Sequence, residues 1–243
     1  MALAIDLYCG LGGWAEGLLS EGWDVIGFDI EGWPYPGQLV LQDVQTLHGA
    51  QFKNAALIVA SPPCQAYSYR AMPWKRAKAL GPPDNTLFET CFRIQREASE
   101  AAGHHIPLIV ENVRGAQKYV GWAKWHYGSY YLWGDIPALM PIAGRQRIKS
   151  NLGTHDRVEG SGRPRFITEG VKLPNNNAER RCEDRPIARL RDATKQGGEW
   201  WHDPDGIQAF SSHSNARKQA SALIAKIPFA LAQHIARVFR NGN

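Results

Sequence analysis

The sequence predicts an open, mostly parallel α/β sheet with helices on both faces. Three observations carry that expectation. Short apolar runs alternate with longer amphipathic stretches, the order that builds a parallel sheet from strand–helix–strand units. A glycine-rich turn follows the first apolar run directly. Two later runs each end in unusual polar groups: Ser61-Pro62-Pro63-Cys64-Gln65 follows the run 55–60, and Glu111-Asn112-Val113 follows the run 106–110. In such sheets ligands bind at the carboxyl ends of the strands.

The elements follow in order. Ala2 to Leu7 reads as the first strand, Trp14 to Ser20 as the first helix and Trp23 to Phe28 as the second strand. Leu57 to Ala60 and Ile106 to Val110 read as later strands. Between them a helix is expected from about Asn85 to Ala102. Thr86 with Glu89 three residues on forms a capping box. Leu87, Phe88, Cys91, Phe92 and Ile94 give the apolar face, and Gly103 stops the helix. A last helix starts near Pro228, a good first-turn residue. Its apolar face is Leu231, Ile235, Val238 and Phe239, and it ends near Gly242.

A chain of 243 residues fits one large domain, or one domain with a small appendage. Hydrophobic residues make up 44%, enough for a sizeable core. No apolar run approaches the ~18 residues of a membrane span, and the first residues lack the pattern of a secretory signal. The four cysteines, Cys9, Cys64, Cys91 and Cys182, show neither metal-ligand spacing nor a disulfide framework. A reduced cytoplasmic protein is expected, as a monomer without membrane or metal partner.

The net charge is +5, which allows a nucleic-acid partner without demanding one. It is unevenly spread. From Ala143 to Lys195 there are 13 lysines and arginines against 7 acidic residues, and apolar periodicity is lost. We therefore expect a main body over 1–142, a small basic region over 143–215 and a returning helix over 216–243. A solvated, loop-rich edge is the other reading of the basic stretch.

The first turn reads Asp6-Leu7-Tyr8-Cys9-Gly10-Leu11-Gly12-Gly13-Trp14-Ala15. Gly10, Gly12 and Ala15 fit the glycine fingerprint of Rossmann-like nucleotide-binding folds, where a ligand approaches the backbone and the helix N-terminus. Asp29 follows about 20 residues later, where a carboxylate can bind ribose hydroxyls. Asp43 is a third acidic candidate. This pattern alone does not separate NAD from S-adenosylmethionine. A thiol with a nearby proton donor, here Cys64 and Glu111, suits covalent catalysis on an electron-poor ring or carbonyl. His104-His105 has no partner that would make a metal site. The tryptophans are expected to pack in the core or an interface, with base stacking as the alternative.

Three segments together resemble the DNA cytosine carbon-5 methyltransferase family: the turn from Asp6 to Gly13, Pro63-Cys64-Gln65 with Ser68, and Glu111-Asn112-Val113. They stand in the family's order over residues 2 to 115. The resemblance implies a class I S-adenosylmethionine-dependent fold acting on double-stranded DNA. It implies that Leu7, Tyr8, Gly10, Leu11, Gly12, Gly13, Asp29, Ile30, Asp43, Val44 and Pro62 hold the cofactor, with Asp29 on the ribose and Asp43 on the adenine amino group. Cys64 becomes the nucleophile and Glu111 the group that binds the cytosine ring. Pro63, Gln65, Ser68, Asn112 and Arg70 fall to substrate binding, and Arg70, Lys75, Arg76 and Lys78 lie on a basic loop that closes over DNA in that family. Region 143–215 becomes a short target-recognition region, and Ile227-Pro228 a worn form of the family's last motif.

The chain departs from the family in two places, a target-recognition region shorter than the family's and one motif. Gln-x-Arg-x-Arg has no clean match: the segment from Tyr127 to Trp133 occupies its expected place, and Arg145-Gln146-Arg147 is a displaced substitute. The alternatives are the same chemistry on RNA and a degenerate DNA-binding regulatory module.

Overall fold

The computed structural model describes residues 2–67, 82–141 and 221–241. The chain begins with β1 (Leu3–Leu7), α1 (Gly13–Ser20), β2 (Asp24–Asp29), β3 (Gln38–Leu41) and β4 (Leu57–Ala60). It continues with α2 (Thr86–Ala102), β5 (Leu108–Asn112), α3 (Gln117–Val120), β6 (Trp125–Tyr127) and β7 (Tyr130–Gly134), and the described part closes with α4 (Phe229–Asn241).

The strands form one seven-stranded sheet in the order β3-β2-β1-β4-β5-β7-β6. β3, β2, β1, β4 and β5 pair in parallel, while β7 and β6 pair antiparallel at one edge. β1, β4 and β5 are buried nearly throughout, as expected of strands covered on both faces. On one face Ile5, Ile58 and Val110 pack with Phe88, Cys91 and Ile94 of α2. On the other, Ala4, Val59 and Ile109 pack with Trp14 and Leu18 of α1 and Leu231 and Ile235 of α4.

α1 and α4 approach very closely because α1 carries glycine at its contact. A Cβ on Gly17 would overlap Ala232 and the Gln233 backbone. Gly17→Ala should therefore destabilise by about 1–3 kcal/mol, the usual cost of overpacking. Thermal unfolding checks this, and an unchanged midpoint would contradict it.

Four details differ from the sequence expectation. β5 runs two residues further, so Glu111 and Asn112 lie within the strand rather than after it. Their pairing with Leu132 and Tyr131 of β7 holds them there. The start of α2 is not closed by a Thr86–Glu89 capping box. Asp84 instead accepts both the Thr86 amide (2.8 Å) and its hydroxyl (2.5 Å), a local turn that competes for the same donors. Val238 is exposed, whereas Ala232 and Ala236 complete the buried face of α4. β3 and the β6–β7 hairpin are additional strands. The proposed basic region 143–215 lies outside the described residues.

Candidate active site

Strand order reverses beside β1: β2 and β3 lie to one side, β4 and β5 to the other. The carboxyl ends of β1 and β4 therefore open a crevice, the place where parallel α/β sheets take ligands. The glycine turn leaves β1 there, and the Cys64 loop leaves β4 there. The Ser61 amide donates to the Leu7 carbonyl (3.1 Å), and Trp14 Nε1 of α1 donates to Ser61 Oγ (3.0 Å). The two loops are thus fastened side by side.

The turn is built around positive φ. Tyr8 has φ 56° and Gly10 φ 48°, conformations that glycine adopts without strain and tyrosine does not. The strained Tyr8 is anchored by its hydroxyl, which donates to the Leu87 carbonyl (3.2 Å). A Cβ on Gly10 would meet nothing within 4 Å, so open space borders the backbone at that point. Gly12 is the N-cap of α1, and a Cβ on Gly13 would come within 2.5 Å of the Ile227 amide. Ile227-Pro228 thus abuts the glycine turn. Leu7 is core, and Leu11 is half-buried.

Asp29 ends β2 and braces the same turn. Its carboxylate accepts from the Gly10 amide (2.9 Å) and the Glu31 amide (3.0 Å), and a carboxylate retains further acceptor positions after two such bonds. Ile30 beside it is 72% exposed, an apolar side chain standing where a planar ring could rest on it. Asp43 is exposed and caps a short 3₁₀ turn by accepting from the Gln45 amide (2.9 Å). Val44 turns its side chain into the core. The donor set and the open face of Gly10 fit a nucleoside with an aliphatic extension.

Cys64 follows β4 and Glu111 lies in the neighbouring strand β5. β4 and β5 pair with Ala60 opposite Val110, so the Cys64 loop emerges at the level of Glu111. Asn112 fixes this arrangement: its Nδ2 donates to the Pro62 carbonyl (3.0 Å), and its Oδ1 accepts from the Val113 amide (2.8 Å). Asn112 is therefore a brace for the Cys64 loop, held within the sheet. Cys64 is half-buried, while Cys9 and Cys91 are buried and burial pushes both their thiols up. That separates one accessible thiol from two inert ones. Pro63 and Gln65 are exposed. Glu111 is 3% exposed. Burial first, and the Glu111 charge second, hold the Tyr130 phenol well above its usual range.

Asp6 opens the turn segment, and the resemblance gives it no role of its own. It is fully buried in β1 and accepts from the Tyr35 hydroxyl (3.1 Å), while its Oδ1 has no partner. Desolvation pushes its carboxyl up to about 8, the Tyr35 bond opposes this, and the Asp29 charge adds to it. The sequence does carry a signal for it: a carboxylate inside the apolar strand Leu3-Ala4-Ile5-Asp6-Leu7.

The folded chain therefore keeps a proton that the unfolded chain releases near pH 4. The stability this contributes is fully present below pH 4 and is lost as pH rises toward 8. Relative to Asp6→Asn, the wild type should lose a few kcal/mol of stability over that interval, at about 1.4 kcal/mol for each pH step of one. Denaturant midpoints of both proteins across pH 4–8 check this, and a constant difference would contradict it.

Ser68, Arg70, Lys75, Arg76, Lys78, Arg145 and Arg147 lie outside the described residues, as does Cys182. The segment 127–133 that stands in for the missing arginine motif is a β-hairpin. Among the described residues no three His, Cys, Asp or Glu side chains could hold a metal ion. None of the described helices is long and apolar enough to cross a membrane. A separate groove of about 790 Å³ runs along α2 and contains neither Cys64 nor Glu111.

The chain was compared with known proteins. Residues 3–119 match the family model described as C-5 cytosine-specific DNA methylase. No curated protein matches the chain. A solved structure described as a DNA modification methyltransferase encoded within an E. coli prophage is 26% identical, covers 50% of this chain and 35% of its own, with a TM-score of 0.35. DNMT2 of Spodoptera frugiperda is 22% identical over 49% of this chain and 37% of its own, with a TM-score of 0.34. The Entamoeba histolytica methyltransferase EhMeth is 13% identical over 100% of this chain and 99% of its own, with a TM-score of 0.51. That last likeness is one of fold. The match spans about a third of the length of the first two. The glycine turn, Cys64 and Glu111 all lie inside the segment that matches the C-5 cytosine-specific DNA methylase family, whose methyl donor is S-adenosylmethionine.

Proposed function

We propose that this chain methylates carbon 5 of cytosine in double-stranded DNA. The observation that carries the reading is the placement of Cys64 and Glu111 at adjacent strand ends, joined by the Asn112–Pro62 hydrogen bond (3.0 Å).

Bound at the glycine turn, S-adenosylmethionine would supply an electrophilic methyl group. Asp29 would take the ribose hydroxyls, Ile30 the face of the adenine and Asp43 its amino group. Carbon 5 of cytosine is a poor nucleophile while the ring is aromatic. The Cys64 thiolate adds to carbon 6 and makes carbon 5 enamine-like. Glu111, carrying or sharing a proton at ring nitrogen 3, offsets the charge that develops on addition. Carbon 5 would take the methyl group as its bond to sulfur breaks and S-adenosylhomocysteine is released; a base would then remove the carbon-5 proton, and Cys64 would leave as thiolate. Cysteine suits both addition and departure. The target atom is hidden inside a duplex, so the base is flipped out at a cost of a few kcal/mol.

Asp29→Ala should weaken S-adenosylhomocysteine binding by about 1–3 kcal/mol, since it leaves hydrogen-bonding groups unpaired. Calorimetry reads this directly, and unchanged affinity would remove Asp29 from the cofactor site. The reaction itself is tested by offering methyl-labelled S-adenosylmethionine with duplex DNA of mixed sequence or with tRNA. Label in DNA supports the proposal, and label confined to tRNA would replace its substrate.

A further inference from the structure

We propose that residues 114–126 form a platform for the phosphate backbone of double-stranded DNA, set beside the Cys64 loop. The inference rests on the reading of the chain as a DNA methyltransferase and assigns a binding surface that the reaction chemistry does not require.

Charge gives the first reason. Between Glu111 and Asp135 the chain carries Arg114, Lys118 and Lys124 and no acidic residue at all. All three side chains are exposed. None of them has a carboxylate partner among the described residues, where the ion pairs involve other groups. Only Lys118 is steadied, its ammonium lying 5.3 Å from the Tyr119 ring centroid. Unpaired cations on one short stretch repel one another, and polyanionic phosphates relieve that repulsion.

Attachment gives the second. The segment is fastened to the nucleophile loop rather than being merely near it. A Cβ on Gly115 would overlap the Tyr67 carbonyl, and the Tyr67 and Tyr119 rings stack with centroids 6.2 Å apart. Asn85 accepts from the Tyr67 hydroxyl (2.9 Å) and donates to the Tyr119 carbonyl (3.4 Å). Tyr67 in turn ends the turn that begins at Cys64, its amide donating to the Cys64 carbonyl (3.0 Å). The segment is thus attached to the loop at which, on the proposed reading, the cytosine reacts.

Order gives the third. The loop after α3 is held from beneath by the β6–β7 hairpin: Trp133 Nε1 donates to the Gly121 carbonyl (2.9 Å) and the Lys124 amide to the Leu132 carbonyl (2.9 Å). On that fixed loop Trp122 is 84% exposed. A tryptophan left in water on an ordered loop is uncommon, and its ring can lie against a sugar or an unstacked base. Backbone contacts of this kind position a duplex without reading its sequence.

The test uses fluorescence anisotropy of a labelled mixed-sequence duplex with the full chain and S-adenosylhomocysteine, across about 50 to 200 mM KCl. The triple variant Arg114→Ala, Lys118→Ala, Lys124→Ala should bind more weakly, with a log–log salt slope shallower by about 2.7, or about 0.9 per lost contact. Lys118→Arg should keep the wild-type slope. Calorimetry with S-adenosylhomocysteine should be unchanged and shows that the variants are folded.

An unchanged slope in the folded triple variant overturns the platform, while the wild type still binds and methylates duplex DNA. A wild type that ignores the duplex and binds tRNA overturns the substrate reading instead, and the DNA partner with it. A dimer by sedimentation that Trp122→Ala converts to monomer, with the DNA slope unchanged in the triple variant, assigns the face to a second copy and overturns the platform.

Discussion

Cys64→Ser should abolish covalent capture of duplex DNA containing 5-fluorocytosine and lower methyl transfer by on the order of 10⁴-fold or more, the scale seen when a nucleophile is lost. Fluorine cannot leave carbon 5 as a proton does, so the wild type, with cofactor, should stall with the Cys64 sulfur bonded to carbon 6. Denaturing electrophoresis reads the adduct. The structure gives the choice of thiol its force: Cys64 is half-buried on a strand-end loop, while Cys9 and Cys91 are buried with their thiols pushed up by desolvation. Persistence of the adduct in Cys64→Ser would move the nucleophile elsewhere. Cys9→Ala and Cys91→Ala should both retain it.

Glu111→Gln should leave S-adenosylhomocysteine affinity intact and lower methyl transfer by about 10²-fold or more, the usual range for a positioned acid. The amide keeps the shape of the carboxyl and can still meet the ring, but it cannot supply the proton at nitrogen 3. Glu111 sits within β5, paired opposite Leu132, so its carboxyl is carried by the sheet rather than by a mobile loop. Calorimetry and a transfer assay separate the two effects. Parallel loss of cofactor binding and transfer would make Glu111 a structural residue.

The elements that form the centre of the site were legible because they obey local rules. β1, β4 and α2 announce themselves by apolar runs, by 3.6-residue periodicity and by Gly103, whose φ of 73° ends α2. The glycine turn and Asp29 were legible by spacing, and the Gly10–Asp29 bond shows why that spacing matters.

What escaped was set by tertiary contacts. β3 has two exposed and two half-buried residues and reads as loop until β2 pairs with it. The last two residues of β5 are polar, and only pairing with β7 keeps Glu111 and Asn112 extended. The β6–β7 hairpin did carry a signal, two turn residues Gly128-Ser129 between aromatic runs, the pattern of a tight hairpin. The Asn112–Pro62 brace joins residues 50 apart and has no sequence signature.

The central claim is tested most directly by the product. The full chain is incubated with mixed-sequence duplex DNA and methyl-labelled S-adenosylmethionine, the DNA is digested to nucleosides, and the label is identified by chromatography and mass. The account predicts label in 5-methyldeoxycytidine and in no other nucleoside. Label on a ring or exocyclic nitrogen would contradict it, because such a transfer needs neither a thiolate at carbon 6 nor a proton at nitrogen 3.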